Sequence, residues 1–415
     1  MIRVTICAYD KPDNVGGPVS WIRRLLPLLR DRGVEVRCLF VMHWGDSGPA
    51  LTPLLEAGFD CRWTNLDTTE ARIGWILDDL RANPPDIFVP NLVVAGYYAA
   101  RWAREAGIPT VGILHSDDPF YHGILDTFVY GRGKWRLSSV VCVSEELKRA
   151  VLARGQTNVR VDRIPYGVNI PTQHVRRKPG ILRLAFAGRF AEEQKRIGEV
   201  TRALCAAASL SGVEAVMYGD GPNRALVEHI LQTVGASLPV HLGGLVDSET
   251  IQTRMLETDV VVLLSDYEGL PIALLEAMAC GCVPVCLAIR SGIPELVEHE
   301  VSGLLVNDRG QAFVEAIRRL RDDARLWQYL SDGAKSAACA FSSATSADHW
   351  ARHFAELVEP RIGGVTVPHP RRLDLPPVHP ALASADQRFA APSIGSQLRA
   401  GMRSFLGGTR RRLRG

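Results

Sequence analysis

The chain has 415 residues, 47% hydrophobic and 22% charged, which sets aside a disordered or low-complexity protein and leaves room for two folded domains. Its net charge of +3 is unevenly placed: residues 361–415 hold ten arginines against two aspartates, so residues 1–360 carry −5. An acidic body argues against a nucleic-acid enzyme, whose folded domains usually present a basic face, and no nucleic-acid partner is expected.

The opening MIRVTICAYD is too short and too polar for a signal peptide, and no run of about 18 apolar residues follows. Nine scattered cysteines, an odd number, fit reduced thiols in a cytoplasmic protein better than a disulfide framework. From the N-terminus, short apolar runs alternate with amphipathic stretches. Strands are expected at 3–8, 34–41, 59–64, 86–90, 110–115, 140–143 and 160–164. Helices are expected between them, among them 19–30, 69–81, 94–105 and 145–153. Such alternation predicts an α/β domain over 1–170, a parallel sheet covered on both faces. The polar, proline-bounded segment 170–180 reads as a linker.

The alternation then restarts, with strands expected at 183–187, 214–218, 239–242, 259–264, 283–287 and 303–306, giving a second doubly wound α/β domain over 180–344. Cys280, Cys282 and Cys286 fall on a helix end and a buried strand, where cysteine packs as a small hydrophobe. One more helical period, 345–358, is assigned to the N-terminal domain. Residues 360–415 are proline-rich and then basic, and read as an extended or partly disordered tail.

The segment Leu263–Gly281 carries the strongest chemical signal. A strand ends, a turn passes through Gly269, and Pro271 opens a helix that stops at Gly281. A helix start after a glycine turn presents free N–H groups and a positive dipole end, suited to a diphosphate. Glu268 and Glu276 flank it, and carboxylates accept hydrogen bonds from sugar or ribose hydroxyls. The plainer alternative makes Glu268 a cap and Glu276 a surface residue. In LAFAGRFAEEQK, Arg189 and Lys195 follow another strand end, where open α/β sheets bind ligands. They can hold a leaving diphosphate, or simply pair with Glu192 and Glu193. The lysine is notable in a chain with six lysines and 42 arginines. DNVGGP after the first strand lets backbone approach a ligand, but it is not the GxGxxG of a dinucleotide fold. YGDGP is adequately explained as a tight turn. His115 ends an apolar strand, where it can face a cleft or serve structure. No Asp-x-Asp, HExxH, CxxC or Walker motif occurs, so neither a metal nor any other cofactor is expected.

Taken together, EGLPIALLEAMACG, GRFAEEQK, GDGP, SGIPELVEHEVSGLLV, VCVSEELKRAV and RIPYGVN resemble the retaining family-4 glycosyltransferases of the GT-B fold. The resemblance covers about 140–345 and implies two Rossmann-like domains facing a cleft. It further implies that Glu276 binds the nucleotide ribose, and that Glu268 with Gly269, Leu270 and Pro271 holds the donor sugar. Arg189 and Lys195 would hold the diphosphate, Gly17 would close on it, and His115 would sit near the reacting sugar. Gly244 and Val246 would lie near the base. Arg196 stands where the family often has glycine, and Arg290-Ser291-Gly292-Ile293 stands where it often has two glycines before Pro-Glu. Both departures bear on the donor pocket.

The implied reaction moves a sugar from a UDP- or GDP-sugar to a hydroxyl of a glycan or lipid-linked acceptor, in cell-surface glycan or glycolipid biosynthesis. A nucleotide-sugar 2-epimerase of the same fold and a non-catalytic nucleotide-sugar-binding protein are the rival readings. Residues 397–415 place Leu398, Met402, Phe405 and Leu406 beside Arg399, Arg403 and Arg410–Arg412. They are expected to touch an anionic membrane, at the inner face of the plasma membrane, or else to act as a solvated tail.

Overall fold

The protein is described by a computed structural model covering residues 1–12, 16–246, 250–359 and 364–388. The N-terminal domain has strands β1 (Ile2–Asp10), β2 (Val34–Met42), β3 (Asp60–Thr64), β4 (Ile87–Pro90), β5 (Val111–Leu114), β6 (Ser139–Cys142) and β7 (Arg160–Arg163). Helices α1 (Gly17–Arg30), α2 (Leu51–Glu56), α3 (Thr69–Ala82), α4 (Val94–Glu105), α5 (Pro119–Phe128) and α6 (Glu145–Ala153) connect them. β3-β2-β1-β4 and β5-β6-β7 are both parallel, and a parallel bridge from Phe88 to Thr110 links them.

The C-terminal domain contains β8 (Leu182–Ala187), β9 (Val213–Tyr218), β10 (Val240–Gly244), β11 (Val260–Leu263), β12 (Val283–Leu287) and β13 (Leu304–Val306). Its helices are α7 (Glu192–Lys195), α8 (Ile197–Ala208), α9 (Arg224–Thr233), α10 (Thr250–Leu256), α11 (Ile272–Cys280), α12 (Ile293–Leu296), α13 (Gln311–Asp322) and α14 (Ala324–Cys339). The parallel order β10-β9-β8-β11-β12-β13 reverses direction beside β8, the point at which doubly wound sheets bind ligands. All thirteen strands occur within two residues of the positions read from the sequence, because apolar β-branched runs ended by turn residues mark buried parallel strands.

The chain crosses between the domains twice. The linker is pinned rather than loose: Val175 N–H donates to the Cys280 carbonyl at 2.8 Å, and Arg177 donates to the carbonyls of Leu320 and Arg321. On return, Ser343 N–H donates to Val168 O at 2.9 Å, and α15 (Ser343–Leu357) lies against α1, with Trp350 and Trp21 rings 5.6 Å apart. One continuous apolar core spans the N-terminal domain and the α11 side of the C-terminal domain, so the two domains meet closely.

Part of the proline-rich stretch is extended, as expected, and docks on the folded body. Residues 364–388 run along the outside of the N-terminal domain, burying Val367 and Leu382. Asp386, Arg388 and the Tyr98 hydroxyl form a hydrogen-bonded triad there. Prolines and polar spacers hide the anchoring positions, since an extended strap has no periodicity to read. The expected membrane contact at 397–415 lies outside the described residues.

Candidate active site

Helix α11 organises the cleft. IALLEAMAC is rich in strong helix formers, and Gly281 stops it in a left-handed conformation at φ +91°. Pro271 sits just before the helix as its N-cap rather than inside it. Seven of its nine residues are buried, so the helix is wedged between both domains. Glu276 is its one charged residue. No side chain caps its start among the described residues, which leaves first-turn N–H groups open.

α1 starts the same way, after Gly16, also without a side-chain cap among the described residues. The two helix starts face each other: a Cβ on Gly17 would lie 3.1 Å from Ile272 Cδ1. The glycine at 269 is equally constrained, because a Cβ there would lie 2.0 Å from the carbonyl oxygen of His115 across the cleft. Two positive helix ends thus meet at one place, an arrangement that favours an anion between them.

Charged side chains ring this point in two pairs. Lys195, at the end of α7, reaches the carboxylate of Glu268 at 2.5 Å, and Glu268 is 7% exposed. Gln194 supports the turn by donating to the Tyr267 carbonyl at 3.0 Å and to Glu268 at 3.4 Å. Glu276 forms an ion pair with Arg24 of α1, both half-buried. Burial raises the Glu276 carboxyl above its ordinary pKa, and the Arg24 charge opposes that rise.

The structure places the other candidates as follows. Leu270 is buried under the turn. Arg189 is exposed just past β8, and no hydrogen bond or ion pair joins its side chain to the described residues. Gly244 closes β10 at φ +71°, with its carbonyl accepting from Gly219 N–H at 2.8 Å. Val246 is half-buried beyond it. Arg196 takes the left-handed conformation at φ +48°, a region that glycine enters without strain. Its guanidinium ties the loop to Asp266 at 3.0 Å and Glu199 at 3.3 Å. Ser291 and Gly292 adjoin the turn, where a Cβ on Gly292 would lie 2.0 Å from the Gly269 carbonyl.

The His115 ring is turned inward. Nε2 lies 2.7 Å from Asn91 Oδ1, an acceptor, so Nε2 carries the proton and Nδ1 accepts from the Tyr166 hydroxyl. The ring stacks on Tyr166 with centroids 5.7 Å apart. Burial pushes its pKa down to about 3. A neutral ring with both nitrogens engaged holds the cleft wall, and only its backbone carbonyl meets the Gly269 turn.

Arg24, Asn91, Tyr166 and Gln194 were not picked out from the sequence. For Arg24 a signal existed. It lies seven residues, two helical turns, after Gly17, so whatever Gly17 faces, Arg24 faces also. Asn91 and Tyr166 follow different strands, and no local pattern links them to His115.

Both domains have known relatives. Residues 182–323 match the family described as glycosyl transferases group 1, and residues 15–171 match Glycosyltransferase Family 4. The GDP-mannose-dependent alpha-(1-6)-phosphatidylinositol dimannoside mannosyltransferase of Mycobacterium tuberculosis is 28% identical over 244 residues, 53% of this chain and 61% of that protein. The putative colanic acid biosynthesis glycosyltransferase WcaL of Salmonella typhimurium is 27% identical over 270 residues, 58% of this chain and 62% of that protein. The matched region thus spans about three-fifths of these curated relatives. Among solved structures, Anabaena Alr3699/HepE in complex with UDP and glucose superposes with a TM-score of 0.69 at 18% identity, covering 86% of this chain and all of that one.

Proposed function

Since the chain belongs to the family-4 glycosyltransferases of the GT-B fold, we propose that it transfers a sugar, with retained anomeric configuration, from a UDP- or GDP-linked donor to a glycan or lipid-linked hydroxyl. The observation that carries this reading is the convergence of two helix starts, uncapped by side chains among the described residues, with the Lys195–Glu268 and Arg24–Glu276 pairs. In this reading the diphosphate lies between the starts of α1 and α11, near Arg189 and Lys195. An ammonium has three donors, so Lys195 can keep Glu268 and still reach a phosphate oxygen. Glu268 and the Gly269–Pro271 turn receive the donor sugar. Glu276 receives the ribose once Arg24 yields it.

The acceptor hydroxyl attacks the anomeric carbon on the face that the nucleotide leaves, and the departing diphosphate takes its proton. Negative charge grows on that diphosphate, where the cations and helix ends stabilise it more in the transition state than in the ground state. His115 neither gives nor takes a proton. The charge is met by protein groups, and we infer no need for a bound metal. The relatives' names support both nucleotide bases: one solved structure is titled with UDP, one relative is named for GDP-mannose.

Among the described residues no helix is long and apolar enough to cross a membrane. We place the protein in the cytoplasm, with residues 397–415 resting on anionic lipid near a surface-glycan or glycolipid acceptor. Each basic residue contributes roughly 1 kcal/mol at such a surface. Vesicle co-sedimentation of the full chain against a chain ending at Pro392 checks this, and equal pelleting at low salt would contradict it.

The transferase reading is tested by incubating the full chain with UDP- and GDP-hexoses and following the sugar by proton NMR. We expect slow donor hydrolysis that first releases the sugar in the donor's own anomeric form. Inverted sugar, or a new nucleotide sugar formed without acceptor, would overturn it, the second result favouring an epimerase.

A further inference from the structure

The carboxyl edge of the N-terminal sheet holds a second cluster of polar and aromatic groups. β1, β2 and β3 end side by side, with Asp10 opposite Met42 and Val41 opposite Thr64. Lys11, then His43 and Trp44, then Asn65 and Leu66 follow those ends. Asp10, fully buried, accepts from the N–H groups of Lys11, Ala50 and Leu51 at 2.9 Å each, which ties the first two loops together. Three large apolar side chains are exposed at this edge: Trp44 at 44%, Trp63 at 40% and Leu66 at 38%.

Cations stand among them. Lys11 Nζ lies 5.1 Å from the Trp44 ring centre, and the rings of Tyr9 and His43 meet edge to face at 4.3 Å. Arg72 of α3 is only 8% exposed, and its Nε donates to the Leu66 carbonyl at 2.7 Å. No carboxylate among the described residues forms an ion pair with it, although Asp67 acts on it through space. Asp46, the acid on the β2 loop, is occupied by Trp63 Nε1 at 3.3 Å and Asn65 Nδ2 at 2.9 Å. Partial burial, then Arg72 and Lys11, lower the His43 pKa, as a locally positive potential requires. A buried guanidinium without a paired anion is costly to keep and is ready-made for an anion supplied from outside. An exposed indole beside it offers a flat apolar face for a sugar ring.

We propose that this edge is an acceptor subsite for an anionic glycan unit, with the sugar stacked on Trp44 and its carboxylate or phosphate held by Arg72 and Lys11. The proposal rests on the transferase reading and adds the acceptor's chemistry to it. Uronates and sugar phosphates share that chemistry, and paired probes separate them. The full chain is titrated with methyl β-D-glucuronide and methyl β-D-glucoside, and with myo-inositol 1-phosphate and myo-inositol, followed by saturation-transfer NMR. In at least one pair the anionic probe is expected to bind about tenfold tighter than its neutral counterpart, and that pair names the source of the charge. Arg72→Gln and Lys11→Gln should each shrink the preference below about threefold, while Trp44→Ala weakens both members of the pair alike. Should Arg72→Gln not fold, Lys11→Gln and Trp44→Ala decide. Equal affinities within both pairs, or a preference that survives these substitutions, would overturn the subsite. UDP and GDP are titrated into the same samples: the variants should bind them as the unaltered chain does. Failure of the unaltered chain to bind either would instead overturn the transferase reading.

Discussion

Replacing Lys195 with alanine separates the structural and chemical roles of the cleft. The substitution removes the ammonium 2.5 Å from Glu268 and leaves a carboxylate that is 7% exposed with, among the described residues, only the Gln194 amide at 3.4 Å. Breaking one side of a fully buried ion pair costs about 3–5 kcal/mol, and the 14% exposure of the Lys195 side chain places this case near the lower end, about 3 kcal/mol. Loss of one charged contact to the departing diphosphate costs a similar amount in the barrier, roughly a hundredfold in rate. The two losses part in the double variant. Adding Glu268→Gln removes the stranded charge and should return about 2 kcal/mol of stability, without restoring turnover. Guanidinium unfolding and the initial rate of nucleoside diphosphate release read the two quantities. A Lys195→Ala protein as stable as the unaltered chain, or a double variant no more stable than the single one, would refute the electrostatic argument.

Arg24→Ala releases Glu276 from its pair, and nucleoside diphosphate should bind up to about fivefold tighter by isothermal titration. Weaker binding would make Arg24 a donor contact instead of a competitor. Glu268→Ala should cost more affinity for a whole nucleotide sugar than for its nucleoside diphosphate, and equal losses on both ligands would refute its assignment to the sugar. Gly269→Ala drives a methyl into the His115 carbonyl, so activity should fall at least tenfold and stability by about 1–3 kcal/mol; unchanged turnover would mean that the domains need not meet there. Burial lowers the pKa of His115 to about 3 and of His353 to about 4. Both rings are therefore neutral when folded and take up a proton on unfolding below about pH 6.5, so the unfolded state binds more protons. Stability should fall from pH 6.5 toward 5 with a limiting slope of about 1.4 kcal/mol per pH unit for each ring. A flat denaturation midpoint across that window would contradict both burial assignments.

The strands were legible because buried parallel strands write themselves as short β-branched runs, and Val283–Leu287 matches residue for residue. Helices with one apolar face, such as Glu145–Ala153, were equally plain. The docked strap at 364–388 was not, since Leu382 and Val367 anchor it without any repeat. Within the site, Glu268, Glu276 and Lys195 could be named from one strand-turn-helix segment and one strand-end loop. Their partners could be named only in part. Gln194 adjoins Lys195 in sequence, but an uncharged loop residue has no charge to single it out. Arg24 pairs with Glu276 across 252 positions, and only its helical phase relative to Gly17 pointed that way. The His115 ring illustrates the opposite limit. A histidine at a strand end is ambiguous in sequence, and Asn91 and Tyr166, on other strand ends, decide that it faces inward.

The central claim is that a nucleoside diphosphate lies at the start of α11 with its ribose on Glu276. Isothermal titration of UDP and GDP into the full chain and into Glu276→Ala tests it most directly. The account predicts that at least one of them binds the unaltered chain and that the substitution weakens it about tenfold or more, the cost of a lost hydrogen bond to a charged acceptor. Undiminished binding to Glu276→Ala, or no binding of either nucleotide to the unaltered chain, would contradict it.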